Sequence, residues 1–380
     1  MPINKVGKVK NKDGLQKYKV RMNFTDDFGV SKQLTRIAYG REVAEDLERR
    51  LEYEIKTNGA NHFNKATVRQ LYEEYVKVKK FEVRETTLGK IERAYTRFIE
   101  PTLANVRLDK LSLKILQEWK LSVEENKLAL KSKQNVYGEF RAMLNYAVRM
   151  EYIPKNLLLS VGNFKDAMAT KTEMKYYTSE DFRKYISIAK QQALLKQEQD
   201  KNLFEWNFYV FFNIAFYTGL RKGEIHGLRW CDIDGHYLSV KRSITQKLNG
   251  RDVITPPKNR TSIRTMQIPL PLLTILNDHK ERQMKLSNFN EESLILGDGR
   301  SLRDTSIQNR NILYAKLAGV ERIRIHDFRH SHASLLANMG INIQEVARRL
   351  GHAKIEMTWN TYSHLYPKEE EKAMEILNAV

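Results

Sequence analysis

The stretch GHAKIEMTWNTYSHL, Gly351–Leu365, brings together His352, Tyr362 and His364, three groups able to handle protons or phosphates. Asn360, Thr361 and Ser363 crowd round the tyrosine. Three segments upstream are also rich in cations and imidazoles. TGLRKGEIHGLRW (Thr218–Trp230) presents Arg221, and PPKNRTSIRTMQIP (Pro256–Pro269) carries Lys258. HDFRHSHASLLANMG (His326–Gly340) places His326 and Arg329 three apart, on one face of a helix. Singly, each has a bland reading. A tyrosine is far more often core than nucleophile, and a His-x-x-Arg pair is more often an exposed helix pair. Together they ask for one chemistry. Two Arg, one Lys and two His around one point make a cage for a phosphodiester, because guanidinium forks grip non-bridging oxygens in pairs. A tyrosine in that cage would have its phenol activated by the positive field. It could then displace a bridging oxygen and become a phosphotyrosine. The sequence shows no carboxylate cluster for Mg²⁺ and no P-loop, so cations would supply the charge stabilisation that metals supply elsewhere. Zinc at His326, His330 and His332 is conceivable from their spacing, but no Asp, Glu or Cys completes a set.

Such residues need elements to hold them. The 380 residues suffice for two or three domains. The 65 Lys and Arg against 46 Asp and Glu leave a net charge of +19, which favours nucleic acid or an anionic membrane surface. No run reaches the roughly 18 apolar residues of a spanning helix. The most apolar stretch, Tyr209–Leu220, contains Asn213 and reads as a buried helix. The opening MPINKVGKVK lacks the apolar segment of a signal peptide. A lone cysteine, Cys231, excludes a disulfide framework and a cysteine-based zinc cluster.

Residues 1–58 begin with β-like pieces: KYKVRMNF (Lys17–Phe24) alternates basic and apolar side chains, and VSKQLTRIAYG resembles a partner strand. A charged helix follows over Arg41–Lys56. Residues 1–24 hold seven Lys and Arg against one Asp, which suits either a solvated sheet face or a sheet set in a DNA groove. Residues 57–65 read as a linker. Thr67 then opens a helix, with Gln70 completing a capping box and Val68, Leu71, Tyr72, Tyr75 and Val76 as its apolar stripe. Similar patterns near Thr87–Phe98, Leu113–Glu124 and Lys133–Met150 make residues 66–160 a small all-α domain. A second linker spans Gly162–Lys175. Residues 176–380 read as mostly helical, interrupted by a β-rich insertion over Tyr237–Pro269 with a turn at Asn249–Gly250.

The cage motifs resemble those of the tyrosine recombinases, or phage-type integrases, and the resemblance covers nearly the whole chain. TGLRKGEIHGLRW is similar to that family's first arginine box, HDFRH to its His-x-x-Arg box, Leu350–His352 to its third box and NTYSHL to its nucleophile box. The order Arg, Lys, His-x-x-Arg, His, Tyr matches, as do the 23 residues from Arg329 to His352 and the ten more to Tyr362. Two positions depart: Lys222 stands where a second Arg is common, and Trp359 is large for its place before Asn360.

The resemblance implies a mainly α fold with small β elements in three domains. These are a β-rich arm-binding domain (1–58), a helical, SAM-like core-binding domain (66–160) and a mixed, mainly α catalytic domain (176–380). It implies Tyr362 as nucleophile, giving a 3′-phosphotyrosine, with Arg221 and Arg329 on the non-bridging oxygens. Lys258 would be the general acid for the 5′-oxygen, His326 would assist proton transfer at the tyrosine, and His352 would donate a hydrogen bond to the phosphate. Glu224, one turn after Arg221, would orient the cage. No cofactor, ATP or obligatory metal is expected. The implied partners are double-stranded DNA attachment sites and three further copies of the chain in a homotetramer, with the tail from Glu369 donated to a neighbour. A need for an excision factor or host DNA-bending factor stays open, no membrane partner is expected, and the expected setting is the bacterial cytoplasm. The function implied is integration and excision of a phage or conjugative element. The alternatives are a chromosome dimer-resolving recombinase, a type IB topoisomerase or a non-catalytic DNA-binding regulator.

Overall fold

A computed structural model describes residues 3–10, 14–25, 31–58, 66–166, 173–200, 203–248, 251–255, 262–286, 289–297, 299–366, 374 and 377–378. The chain divides into two compact units, Met1–Thr170 and Lys171–Val380.

The first unit opens with an antiparallel sheet of β1 (Ile3–Lys10), β2 (Gln16–Thr25) and β3 (Ser31–Tyr39), in that order. Period-two alternation puts Tyr18, Val20 and Met22 on the face covered by α1 (Arg41–Asn58), against Ala44, Leu47 and Leu51. The opposite face of β2 carries Lys19 and Arg21, paired across the ladder with Ile37 and Thr35 of β3. Ile37 is 53% exposed there, so this face is basic, partly apolar and uncovered within the sheet's own core. Residues 26–30, between β2 and β3, and most of the first linker lie outside the described residues.

Thr67 caps α2 (Val68–Glu82) as a capping box: its hydroxyl accepts from Gln70 N at 3.3 Å and its own N–H donates to the Gln70 side chain at 2.9 Å. Then come α3 (Glu85–Ala94), a wide turn over Tyr95–Ile99, α4 (Glu100–Leu103), α5 (Leu113–Glu124), α6 (Leu130–Arg149) and the short α7 (Leu158–Val161). Their stripes meet in a second core, separate from that of the sheet. Trp119 stacks edge-on to Phe140 with ring centres 4.7 Å apart, and its indole N–H donates to Phe98 O at 2.6 Å. Glu74 accepts hydrogen bonds from the hydroxyls of Tyr146 and Tyr152.

In the second unit, α8 (Ser179–Asp200) packs against α9 (Phe204–Thr218). As its composition demands, α9 is buried on nearly every side, and Asn213 satisfies its amide on Tyr209 O at 2.8 Å. After α10 (Lys222–His226) comes the expected β insertion. The strands β4 (Ile233–Asp234), β5 (Tyr237–Val240) and β8 (Arg264–Gln267) form one antiparallel sheet. Between β5 and β8, strands β6 (Ser243–Leu248) and β7 (Arg251–Thr255) form a separate hairpin. The side chains of Gln246 and Asp252 tie that hairpin to Leu302 O at 2.8 Å and Ser301 N at 2.8 Å. The helices α11 (Leu270–Gln283), α12 (Asp304–Ala318), α13 (Asp327–Asn338), α14 (Ile343–Leu350) and α15 (Ile355–Tyr362) complete the unit. Asn249–Gly250, Lys258 and most of the tail from Glu369 lie outside the described residues. Among the described residues, no helix is long and apolar enough to cross a membrane.

Candidate active site

The site begins where α9 stops. Gly219 takes the left-handed conformation (φ 64°), and a Cβ there would lie 2.7 Å from the ring of His332, so only glycine fits. This turn delivers Arg221 to the start of α10. One turn on, Glu224 reaches back: its carboxylate accepts from Arg221 N at 3.1 Å and from Arg221 Nη1 at 2.9 Å. The same carboxylate accepts from Nη2 of Arg264, in β8, at 3.0 Å. Burial pushes the Glu224 carboxyl up, but Arg264 and Arg221 together outweigh it and hold the group below the usual carboxylate range. Glu224 thus holds Arg221 and Arg264 together through one carboxylate.

The last carbonyls of a helix have no partner inside it. At the end of α14 three consecutive carbonyls are taken by arginine: Arg349 O by Arg264 Nε at 2.7 Å, Leu350 O by Arg329 Nη2 at 2.6 Å and, just past the helix, Gly351 O by Arg221 Nη2 at 3.5 Å. The negative end of the helix dipole suits these cations. Arg329, 3% exposed, also donates from Nη1 to Gly219 O at 2.8 Å. Burial and then the charge of Arg221 pull its pKa down to about 9, which still leaves it charged at neutrality. Arg221 keeps about a third of its side chain exposed, at 34%.

Gly351, again left-handed (φ 65°), ends α14 and turns the chain into His352. The His352 ring shares a hydrogen bond of 2.8 Å between Nδ1 and the Thr358 hydroxyl. Burial, then Arg329, Arg221 and Arg264, lower its pKa to about 4, so it is neutral at physiological pH.

Tyr362 closes α15 at 2% exposure, packed with Ala333, Val346 and Leu350. Its hydroxyl hydrogen-bonds to Nδ1 of His330 at 2.7 Å. Two expectations change here. The positive field does not win at the phenol: burial pushes its pKa up to about 12, against the opposing charge of Arg329. And the imidazole on the hydroxyl is that of His330; His326 is exposed at the N-terminal end of α13, its ring 5.2 Å from that of His330. The two histidines are four positions apart, one helical turn, and the tyrosine packs against the more buried of them.

The third imidazole of this stretch, His332, lies elsewhere. His332 faces away from Tyr362 and donates to Phe216 O at 2.9 Å. Among the described residues there is no group of His, Cys, Asp or Glu placed to hold a metal ion. Lys222 is ion-paired with Asp304 at the start of α12. Trp359 is 56% exposed on α15, which removes any steric objection to its size. Arg264 and His330, which touch Glu224 and Tyr362, do not stand out in the sequence. The first sits in a strand whose alternating pattern reads as ordinary, and the second reads as a metal candidate. Its position one turn after His326 was the signal that could have found it.

This arrangement gathers two guanidiniums, a neutral imidazole and a phenol hydrogen-bonded to a second imidazole within one unit.

The profile described as Phage integrase family matches residues 184–369, and that of the Phage integrase N-terminal SAM-like domain matches residues 67–120. The ICEBs1 integrase of Bacillus subtilis is 29% identical over 90% of this chain and 91% of its own length. A "Tyrosine recombinase XerC-like" protein of Caldanaerobacter subterraneus subsp. tengcongensis is 28% identical over 97% of both. Among solved structures, the Tn1549 transposon integrase in complex with a circular intermediate DNA aligns over 83% of this chain and 99% of that one, with a TM-score of 0.66 and 20% identity.

Proposed function

The chain belongs to the phage integrase family of tyrosine recombinases, and from that premise we propose that it integrates and excises a mobile element through a covalent 3′-phosphotyrosine on Tyr362. It is a tyrosine-type site-specific recombinase. The observation that carries the chemical reading is the end of α14, where Arg221 and Arg329 are held side by side next to His352 and within the same unit as Tyr362.

In this reading Arg221 and Arg329 bind the non-bridging oxygens of the scissile phosphate and neutralise the charge that develops on them. His352 is neutral, and in the tautomer whose Nδ1 accepts from Thr358 the Nε2 proton can be donated to the phosphate. Lys258, between β7 and β8, protonates the departing 5′-oxygen. The 5′-hydroxyl of a partner duplex then attacks the phosphotyrosine. One phosphodiester is exchanged for another, so neither ATP nor a metal ion is required. Glu224 keeps Arg221 in place without touching DNA.

Double-stranded DNA is the partner, gripped by the catalytic unit and by residues 66–160. The basic outer face of β2, with Lys19 and Arg21, supports residues 1–58 as a separate arm-type DNA-binding module. Four protomers on paired sites, exchanging their C-terminal segments, would carry two DNA strands through a four-way junction. Excision by a phage or by a conjugative element fits the residues equally well.

The test is covalent trapping on a nicked duplex taken from the DNA that borders this coding region. After cleavage beside the nick, the short leaving fragment diffuses away and the adduct accumulates on a denaturing gel. A DNA-binding regulator leaves no adduct. A topoisomerase leaves one on duplex without any site.

A further inference from the structure

The proposed reaction leaves one proton unassigned. Tyr362 must lose its phenolic proton to attack phosphorus, yet the side chain is 2% exposed and its pKa is pushed up to about 12. A neutral phenol is a weak nucleophile unless a base sits against it. The cage offers few acceptors. Arg221, Arg264 and Arg329 are donors only. Glu224 is spent on two guanidiniums, and the Nδ1 of His352 is engaged by Thr358. Among the described residues, the group in hydrogen-bond contact with the Tyr362 hydroxyl is His330, at 2.7 Å from Nδ1.

We propose that His330, one helical turn beyond His326, is the general base for strand cleavage, taking the phenolic proton on Nδ1 as Tyr362 attacks. This deepens the reading of Tyr362 as nucleophile and rests on it. A neutral phenol is a better donor than acceptor, so the bond runs from the Tyr362 hydroxyl to the imidazole, with the ring's own proton on Nε2.

The surroundings keep the ring ready for that. The groups around it are His326, Asp327, Arg324 and Arg329 on α13 and the turn before it, and Tyr362 on α15. Burial first, then His326 and the two arginines against the opposing Asp327, hold the His330 pKa at about 4. The ring is therefore neutral and its Nδ1 lone pair available. A phosphodiester entering the cage brings negative charge beside it, which raises its affinity for a proton at the step that needs one.

The balance closes. The bond from Tyr362 Oη to phosphorus forms, the bond from phosphorus to the 5′-oxygen breaks, the phenolic proton passes to His330 and Lys258 protonates the 5′-oxygen. On rejoining each proton returns: a 5′-hydroxyl attacks, and His330 gives its proton to the departing phenolate.

The experiment is single-turnover adduct formation on the nicked duplex described above, from mildly acid to mildly alkaline pH. Wild type, Tyr362→Phe, His330→Ala and His330→Gln are compared. Glutamine keeps the volume and can accept the hydroxyl's hydrogen bond, but it is no base. Both His330 variants are expected to cleave roughly 100-fold more slowly at neutral pH, with rates that climb with pH where the wild type is level. Added imidazole should restore part of the His330→Ala rate. A glutamine variant at the wild-type rate, or slow variants with an unchanged pH profile and no imidazole rescue, overturn the assignment. If the wild-type adduct forms and vanishes in Tyr362→Phe while both His330 variants behave as wild type, only the base is wrong. If the wild type forms no adduct, the nucleophile reading falls and this one with it.

Discussion

Glu224 and Arg264 form a buried ion pair at 3.0 Å, with side chains 4% and 5% exposed. The pair lies between two elements that the chain order keeps forty residues apart. Through it, the strand after the hairpin sets the angle of Arg221, because Glu224 holds Arg221 with its other oxygen. The same Arg264 caps Arg349 O. One side chain thus ties β8, α10 and α14 into the frame on which the phosphate cage stands.

Removing it should be costly. Arg264→Ala leaves Glu224 buried with only the partly exposed Arg221 as partner, and breaking a buried pair from one side costs about 3–5 kcal/mol. Denaturant unfolding of the variant should show a loss of that order. An unchanged midpoint would mean that water or Arg221 compensates fully.

Acid should weaken the fold before carboxylates titrate. His279 and His332 are 0% and 4% exposed, and burial lowers their pKa values to about 4 and about 3. Their folded pKa values lie below the unfolded value of about 6.5, so the unfolded chain binds these protons first. Stability is fully present above that value and falls as pH drops toward the folded values, by at most roughly 3 kcal/mol per pH unit for the two together. Urea midpoints measured at neutral and at mildly acid pH check this. A flat profile across that window would contradict it.

Much of the site was legible because phosphoryl transfer dictates residue types. Arg221, Glu224, Arg329, His352 and Tyr362 stand out by identity and spacing, and the structure gathers them in one unit. The pattern of β2 and the capping box at Thr67 were equally readable, since local sterics and hydrogen bonding decide both. Arg264 was hidden because its role depends on Glu224 and Arg349 O, which only tertiary folding brings to it. The depth of Tyr362 was hidden for a similar reason. Its apolar neighbours Ala333, Val346 and Leu350 come from other helices, and desolvation there reverses the activation that the surrounding charges alone would give.

Deleting residues 1–58 should leave cleavage of a short core site intact and sharply reduce recombination between full-length sites. No cage residue lies in that segment, while tethering a second DNA-binding module raises its effective concentration at paired sites. Comparing both substrates for the full and the shortened chain measures this. Normal recombination of full sites by the shortened chain would leave the segment an electrostatic accessory.

The central claim is that the Tyr362 oxygen attacks DNA, and Tyr362→Phe tests it most directly. Binding comes from Lys and Arg on phosphates across the whole protein, so the variant should keep its affinity for the site at fixed salt. It should form no covalent adduct on the nicked duplex, where the wild-type chain accumulates one. A variant that still forms the adduct would contradict the account and move the nucleophile elsewhere, with Tyr366 the first residue to examine.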